Sequence, residues 1–270
     1  MLFVDLALAR RLEAAEAQAG VECAATLSRL RPESAAAAER IAGGAAVFAG
    51  VSSPLTQAMG LGLDGPVVEA EVERLEGFFR SRGDAARVEV CPFAHATLVE
   101  LFGRHGYRVA EFSNVLVRPL SRSESWPAAP ADIQIEPVGP PDSDLWARTV
   151  AQGFAEHFPA TPELVEIMTI FCHRPTTKCF LARIKGEPVG GASLSLHEGV
   201  AGVYGASTLP AFRNRGVQTA LLHARMAAAA AAGYDLAMTS ALPGSASQRN
   251  IERQDFRVVY TRSKFIREWA

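Results

Sequence analysis

The sequence lacks features that define several classes of protein. Its 27 lysines and arginines do not exceed its 29 aspartates and glutamates, so the excess of positive charge that non-specific nucleic-acid binding requires is missing, and we expect no nucleic-acid partner. No CxxC pair or other metal-ligand spacing occurs among its four cysteines, which are Cys23, Cys91, Cys172 and Cys179. This spacing predicts reduced, mostly buried thiols and no bound metal.

Long apolar runs are missing as well. The most apolar stretches, near residues 41–51 and 226–232, are short or carry charge at their edges, so none is expected to cross a membrane. The first twenty residues carry an acid at Asp5 and place their arginines after the apolar residues, which is the reverse of a signal peptide. We therefore expect a cytoplasmic protein without a membrane partner.

The composition that is present favours two modest globular domains. Of the 270 residues, 49% are hydrophobic and 21% are charged, and a stretch rich in Ser and Pro separates two regions of periodic hydrophobicity. We place a linker at residues 121–131, a first domain at 1–120 and a second domain at 132–270. Periodicity predicts that the first domain opens with helices at about 5–19 and 22–30.

A weak internal repeat relates the two domains. Residues 106–118 and 255–267 align without gaps, share two arginines and a valine, and each segment closes its domain. Such a match favours a duplication of one domain. The glycine-rich turn of the first copy, at residues 60–66, contains Asp64 and no basic residue, whereas the second copy has two arginines at residues 213–216.

The basic turn at 213–216 precedes a helix predicted over 217–232. The turn has no Ser, Thr or Asp directly before the helix, and its arginines add positive charge where the helix dipole is already positive. Unpaired backbone N–H groups, the dipole and the hydroxyl of Thr219 together favour a phosphate or pyrophosphate at this place. The alternative is a solvated turn in which the glycine only permits the backbone conformation.

The residues around this turn form a longer pattern. A predicted strand ends in Thr208, Leu209 and Pro210, and the residues that follow at fixed spacing are Arg213, Gly216 and Gln218. The pattern resembles the signature of the GNAT superfamily of N-acetyltransferases, which is Arg or Gln, two residues, Gly, one residue, then Gly or Ala. Gln218 departs from the small residue usual there, which is compatible with phosphate binding if its side chain points outward. The resemblance covers residues 132–270 in element order.

The resemblance implies an α/β fold with two GNAT-like domains, each a mixed, mostly antiparallel sheet flanked by helices, with the second intact and the first degenerate. It also implies acetyl-coenzyme A as a co-substrate, with its pyrophosphate on the turn and its pantetheine arm along the preceding strand. The implied coenzyme contacts are Thr208, Leu209, Arg213, Asn214, Arg215, Gly216, Val217, Gln218 and Thr219. Ser247 and Asn250 of the last helix are further candidates, although capping and solvent exposure explain them equally well.

The side chains that often move protons in this family are missing. No carboxylate occurs in the strand segment 203–206, and Ile251 occupies the position of a frequent Tyr in the last helix. Candidate bases are Glu156, His157 and Tyr204, but a helix-terminal acid, a loop histidine and a core aromatic residue explain them as well.

The resemblance therefore implies an enzyme in which a primary amine attacks the thioester directly, while a backbone N–H stabilises the developing oxyanion. An acyl-coenzyme A binding module without catalytic activity is the alternative. The acceptor, a small molecule or a peptide, is left open, and so is a homodimer.

Overall fold

A computed structural model describes residues 3–155 and 160–269. Helices and strands are both distributed along the whole described chain, as expected of a protein that contains both α and β structure. In chain order the elements are α1 (Leu6–Leu30), β1 (Ala37–Ile41), β2 (Gly44–Phe48), β3 (Gln57–Met59), α2 (Glu69–Arg80), β4 (Ala86–Val90), α3 (Ala96–Arg104), β5 (Arg108–Pro119), β6 (Ile133–Val138), α4 (Ser143–Gly153), α5 (Pro162–Thr169), β7 (Thr177–Ile184), β8 (Glu187–His197), β9 (Val200–Thr208), α6 (Val217–Ala231), β10 (Leu236–Ala241), α7 (Ala246–Glu252) and β11 (Arg257–Arg267).

These elements group into two compact units. Unit 1 combines residues 1–118 with residues 240–270, and unit 2 comprises residues 119–239. The last strand, β11, pairs antiparallel with both β4 and β5, which holds the C-terminal segment in unit 1. This grouping differs from the two consecutive domains expected at 1–120 and 132–270, because hydrophobic periodicity contains no information about which strands pair.

The strands of unit 1 lie in the order β1-β2-β3-β4-β11-β5. Strands β3 and β4 run parallel, with Ala58 opposite Val88 and Met59 opposite Glu89. The other described pairs of this unit are antiparallel. Unit 1 therefore has the mixed, mostly antiparallel sheet that the sequence predicts.

Alternating residues of β2 serve two hydrophobic cores in unit 1. Ala46 and Phe48 pack with residues of α2 and α3, whereas Ala45 and Val47 pack with small residues of α1 on the other face. Gly20 lets α1 come close to β2, since a Cβ at Gly20 would lie only 3.0 Å from Cγ2 of Val47. The break predicted between two N-terminal helices is therefore wrong: the glycine makes a packing contact, and α1 is continuous.

The strands of unit 2 lie in the order β10-β9-β8-β7-β6, with β9 and β10 parallel and the remaining pairs antiparallel. Helices α4 and α6 cover opposite faces of this sheet at β8. A Cβ at Gly191 would lie 2.7 Å from Val150 of α4, and one at Gly190 would lie 3.1 Å from Val217 of α6. These two glycines therefore allow helices to approach the sheet from both sides.

Strands β9 and β10 separate along their length. Their pairing begins with Val200 opposite Leu236 and ends with Gly202 opposite Met238, although β9 continues to Thr208. Among the described residues no further Cα partner links the two strands. The carboxyl-terminal half of β9 thus borders an opening in the sheet.

Three further features concern the cysteines, the helices that could span a membrane and the groups that could bind a metal ion. All four cysteines are buried and none forms a disulfide. Within residues 3–155 and 160–269, no helix is both long and apolar enough to cross a bilayer. The same residues contain no group of three or more His, Cys, Asp or Glu side chains placed to hold a metal ion.

Candidate functional site

Two residues with left-handed backbone conformation shape the turn between β9 and α6. Asn214 has a φ of 60°, and Gly216, the N-cap of α6, has a φ of 86° and a ψ of 2°. Glycine adopts this conformation without steric cost, and asparagine is one of the few residues that visit it readily. The chain thereby passes from Leu209 and Pro210 into α6, which begins at Val217.

The first turn of α6 presents backbone donors without acceptors. In the part of the chain that the structure describes, the N–H groups of Gly216, Val217, Gln218 and Thr219 donate no hydrogen bond, and the first bond of the helix runs from Ala220 N to Gly216 O at 2.9 Å. No side chain caps the helix, and its first turn contains no acid. Such an N-terminus attracts an anion through its free N–H groups and its dipole.

Arg213 holds the turn in place. Its Nε lies 3.4 Å from the carbonyl oxygen of Thr208, and its Nη2 donates to the carbonyl oxygen of Gly153 at 3.1 Å. Gly153 is the last residue of α4, and a cation interacts favourably with the carbonyl end of a helix. The side chain that the resemblance assigns to the coenzyme therefore also ties the end of α4 to the end of β9.

Arg215 lies at the surface of the turn and has a carboxylate partner. Its Nη2 is 2.5 Å from Oδ2 of Asp132, and the two side chains are 44% and 49% exposed. The guanidinium also stands 5.8 Å from the ring centroid of Phe212. Pro130 is close as well, because a Cβ at Gly216 would lie 3.3 Å from its Cγ. Sequence reasoning did not place Asp132 beside the anion-binding turn.

The residues at the end of β9 differ in what they offer a ligand. The N–H of Leu209 donates to Val189 O at 2.9 Å, and its carbonyl oxygen accepts from Phe212 N at 2.9 Å. By contrast, Oγ1 of Thr208 is buried and has no hydrogen-bond partner within the described residues. Of the two residues assigned to the pantetheine arm, only Thr208 retains an unused polar atom among these groups.

A β-bulge interrupts β9 where the strand borders the opening in the sheet. The register between β8 and β9 shifts between Gly191 and Ser193, and Gly205 of the bulge has a φ of 57°. The carbonyl oxygen of Tyr204 accepts hydrogen bonds from Oγ of Ser193 at 3.1 Å and from Nη1 of Arg225 at 3.2 Å. Two side chains thus fix one peptide group of the bulge.

Arg225 is a buried cation, and its hydrogen bonds to other described residues all go to neutral groups. It is 1% exposed, and besides the Tyr204 carbonyl it donates to the carbonyl oxygens of Ser193 and Leu221, each at 3.1 Å. Within the described chain no carboxylate forms an ion pair with it, and burial lowers the pKa of Arg225 to about 9. Sequence reasoning missed this residue, although Leu221, Arg225 and Ala229 are spaced as one buried helical stripe.

Of the three candidate bases, Tyr204 lies within the described residues. Glu156 and His157 lie outside the described residues. Tyr204 is partly exposed on β9, and its ring lies over Gly202, where a Cβ would overlap Cε2 of the ring. Gly202 therefore provides the space that the Tyr204 ring occupies.

The remaining candidates are in unit 1. Ser247 and Asn250 are exposed on α7, whereas the basic turn belongs to unit 2. The helix cap is Ser245, whose Oγ accepts a hydrogen bond from Gln248 N at 3.1 Å. Capping therefore does not account for Ser247. Ile251, at the position of the missing Tyr, is buried.

The sequence comparison agrees with this geometry. Residues 145–256 match the profile of the Acetyltransferase (GNAT) family. This segment of the chain is similar to a GNAT domain. The matched region includes β9, the basic turn and α6, which are the elements that form the candidate site. No curated protein matches the sequence.

Solved structures show the same fold along most of the chain. A GCN5-related N-acetyltransferase from Kribbella flavida is similar over 93% of this chain and 97% of its own, with 18% identity and a TM-score of 0.63. A tandem GNAT protein from the clavulanic acid biosynthesis pathway is similar over 97% of this chain and 93% of its own, with 15% identity and a TM-score of 0.60. A GCN5-related N-acetyltransferase from Sphaerobacter thermophilus covers 74% of this chain and 67% of its own, with 19% identity and a TM-score of 0.57.

At sequence identities of 15–19%, similarity to these solved structures is evidence for the fold alone. The fold they show is the predicted one, with two GNAT-like α/β domains whose mostly antiparallel sheets are flanked by helices. The predicted resemblance to the GNAT superfamily is confirmed as well.

Proposed function

We propose that this protein transfers an acetyl group from acetyl-coenzyme A to a primary amine by direct attack of the amine on the thioester. GNAT acetyltransferases in general transfer acyl groups from acyl-coenzyme A, and the matched region contains every proposed coenzyme contact. The observation that carries the proposal is the row of free backbone N–H groups from Gly216 to Thr219, at the positive end of α6 and without an acid in the first turn.

The proposed coenzyme contacts follow from this arrangement. The pyrophosphate binds the backbone N–H groups of the turn and the first helical turn, with Arg215 contributing charge and Asn214 and Gly216 setting the backbone conformation. Arg213 positions the turn, and Thr208 offers its hydroxyl to the pantetheine arm. Val217, Gln218 and Thr219 contribute N–H groups, and Ser247 and Asn250 remain proposed contacts.

The corresponding turn of unit 1 is filled by the chain's own groups. Arg10 donates to the carbonyl oxygen of Leu63 at 2.7 Å and forms an ion pair with Asp64 at 3.2 Å. The first turn of α2 carries Glu71, whose Oε2 accepts a hydrogen bond from Val68 N at 3.0 Å. A phosphate would meet the carboxylates of Asp64, Glu69 and Glu71 there, so we propose that unit 1 binds no coenzyme.

Calorimetric titration of the full chain with acetyl-coenzyme A tests this assignment. We expect one molecule bound per chain, because only the turn in unit 2 is free of carboxylate caps. The full chain is required, since a fragment ending near residue 120 lacks β11, which lies between β4 and β5. Two equivalents bound would show that the turn of unit 1 is also a coenzyme site, and no binding would overturn the proposed function.

Asp132 competes with the coenzyme in this proposal, and Asp132→Asn is expected to tighten binding about 2- to 5-fold. The change removes a carboxylate that repels phosphate and releases Arg215, and an exposed ion pair of this kind contributes roughly 0.2–1 kcal/mol. Titration calorimetry with coenzyme A measures the effect. Asp144→Asn is the matched control, because Asp144 pairs with Arg148 at 2.9 Å on the exposed surface of the same unit. Weaker binding by Asp132→Asn alone would mean that Asp132 supports the site.

Catalysis in this proposal rests mainly on positioning. The acceptor amine attacks the thioester carbon in the opening beside β9, and a backbone N–H of the bulge stabilises the oxyanion. Segment 203–206 contains no carboxylate and Ile251 replaces the usual Tyr, so solvent carries the protons. The coenzyme thiol, with an ordinary pKa of about 8.5, leaves readily as a thiolate.

Single changes at the candidate bases are therefore expected to have small effects. Glu156→Gln, His157→Ala and Tyr204→Phe should each lower turnover by less than the roughly 10²- to 10⁴-fold that follows loss of a true general acid or base. The rate should rise with pH towards the pKa of the acceptor amine, because the free amine attacks. Release of coenzyme A thiol with a panel of amines measures both.

Two outcomes would contradict this mechanism. A loss beyond about 10³-fold in one variant, with coenzyme binding unchanged, would identify that residue as the base. Coenzyme binding without turnover on any amine would favour the acyl-coenzyme A binding module instead.

A further inference from the structure

Among the described residues the charge of Arg225 has no counterion, unlike that of other arginines of unit 2. Arg183 forms an ion pair with Glu136 at 2.6 Å, and Arg215 pairs with Asp132 at 2.5 Å, both near the surface. Arg225 is buried and hydrogen-bonds to the carbonyl oxygens of Leu221, Ser193 and Tyr204. Burying a charge without an opposite charge is costly, and an apolar side chain of similar size would avoid that cost. The buried charge of Arg225 therefore indicates a role beyond packing.

The position of the guanidinium suggests that role. It binds the carbonyl oxygen of Tyr204 in the bulge, beyond Gly202, where the pairing of β9 with β10 ends. In a trans peptide the C=O and the following N–H point in opposite directions, and no cis peptide occurs in the described chain. The N–H of Gly205 is therefore directed away from Arg225, and a cation on the carbonyl side polarises this peptide so that its N–H becomes a stronger donor.

We propose that Arg225 is a positioning residue for acyl transfer, which fixes the β9 bulge and strengthens Gly205 N–H as a donor to the thioester carbonyl oxygen. This inference rests on the proposed function. In the step concerned, the amine nitrogen forms a bond to the carbonyl carbon and the C=O π pair moves to oxygen. The oxygen pair then re-forms the C=O bond as the C–S bond breaks and its pair goes to sulfur, and solvent carries the proton lost by nitrogen to the thiolate.

The stretching frequency of the bound thioester carbonyl measures this polarisation, and the measurement needs no acceptor amine. Infrared difference spectra of the full chain with acetyl-coenzyme A, ¹³C-labelled at that carbonyl, should show a lower stretching frequency than in water. Arg225→Met should lose this shift while coenzyme A affinity changes less than about 3-fold, and turnover should fall roughly 10-fold or more, since direct loss of an oxyanion donor costs about 10²- to 10³-fold. Arg225→Lys keeps the charge and should retain the larger part of the shift.

Two control variants separate charge from architecture. Ser193→Ala removes the neutral donor to the same Tyr204 carbonyl and should reduce the shift less than Arg225→Met does. Arg148→Met removes an exposed arginine of unit 2 and should leave the spectrum unchanged.

The outcomes distinguish this inference from the proposed function. An unchanged shift in folded Arg225→Met, or a lost shift in folded Arg225→Lys, would overturn the role of Arg225 and leave the proposed function standing. If Arg225→Met does not fold, Arg225→Gln, which also removes the charge, takes its place in the same comparison. No binding of acetyl-coenzyme A by the unaltered chain would overturn the proposed function and this inference together.

Discussion

Gly216→Glu is expected to weaken acetyl-coenzyme A binding at least 100-fold, or about 2.7 kcal/mol. The new carboxylate would stand at the positive end of α6 and repel the phosphates that the turn is proposed to bind. A Cβ at this φ of 86° also costs roughly 1–2 kcal/mol, and it would lie 3.3 Å from Cγ of Pro130. Titration calorimetry with acetyl-coenzyme A measures the loss.

Gly186→Glu separates the charge at the turn from backbone strain. Gly186 has a φ of 84°, lies in the hairpin between β7 and β8, and a Cβ there would meet nothing within 4 Å. This control carries the same strain and the same charge in the same unit and should bind coenzyme normally. Adding Arg213→Ala to Gly216→Glu should abolish binding, but it also removes the tie between α4 and β9, so the single change is the sharper test. Unchanged affinity in Gly216→Glu would overturn the pyrophosphate assignment.

Local patterns predicted most of the fold because helices and strands have characteristic periods. The helix over residues 217–232 is α6, which the structure ends at Ala231, since Ala- and Leu-rich sequence without interruption favours a helix. Such local patterns do not predict tertiary contacts. Gly20 is a helix breaker by propensity, yet packing of α1 on Val47 outweighs that preference. The place of β11 between β4 and β5 depends on partners far away in the sequence.

The candidate site divides in the same way. The anion-binding turn was predicted because its glycine and the start of the helix are adjacent in sequence. Asp132 was not, because it precedes Arg215 by 83 residues and only the fold brings them together. Arg225 gave a local signal, a cation within an apolar helical stripe, but its carbonyl partners in β8 and β9 are set by the sheet.

The buried charges of unit 1 were likewise hidden from the sequence. Glu13 of α1 is 0% exposed and its Oε1 accepts from Arg262 Nε at 2.7 Å and from the hydroxyl of Tyr260 at 2.8 Å. Arg262 Nη2 also lies 2.6 Å from Glu16 Oε2. These partners join the first helix to the last strand, and Glu13 and Arg262 are 249 positions apart in the sequence.

Glu13→Ala is expected to lower the free energy of unfolding by about 3–5 kcal/mol. Its removal leaves Arg262 Nε and the Tyr260 hydroxyl without their acceptor in a buried place, which is the costly way to break a buried pair. Glu13→Gln keeps the volume and one acceptor oxygen and should cost less than half as much. Urea unfolding monitored by circular dichroism measures both. Equal losses in the two variants would show that the negative charge of Glu13, rather than its acceptor oxygen, stabilises unit 1.

A comparison of Glu13→Gln with the unaltered chain at several pH values tests the protonation of Glu13. Burial raises the pKa of Glu13 above its ordinary value of 4.5, and the nearby charge of Glu16 raises it further while Arg262 opposes the shift. A raised folded-state pKa means that Glu13 contributes stability below pH 4.5, and that this contribution declines as the pH rises through the folded-state pKa. The Gln variant cannot ionise, so its free energy of unfolding relative to that of the unaltered chain should increase as the pH rises above 4.5. A difference that stays constant with pH would mean that the pKa of Glu13 is the same in the folded and unfolded chains.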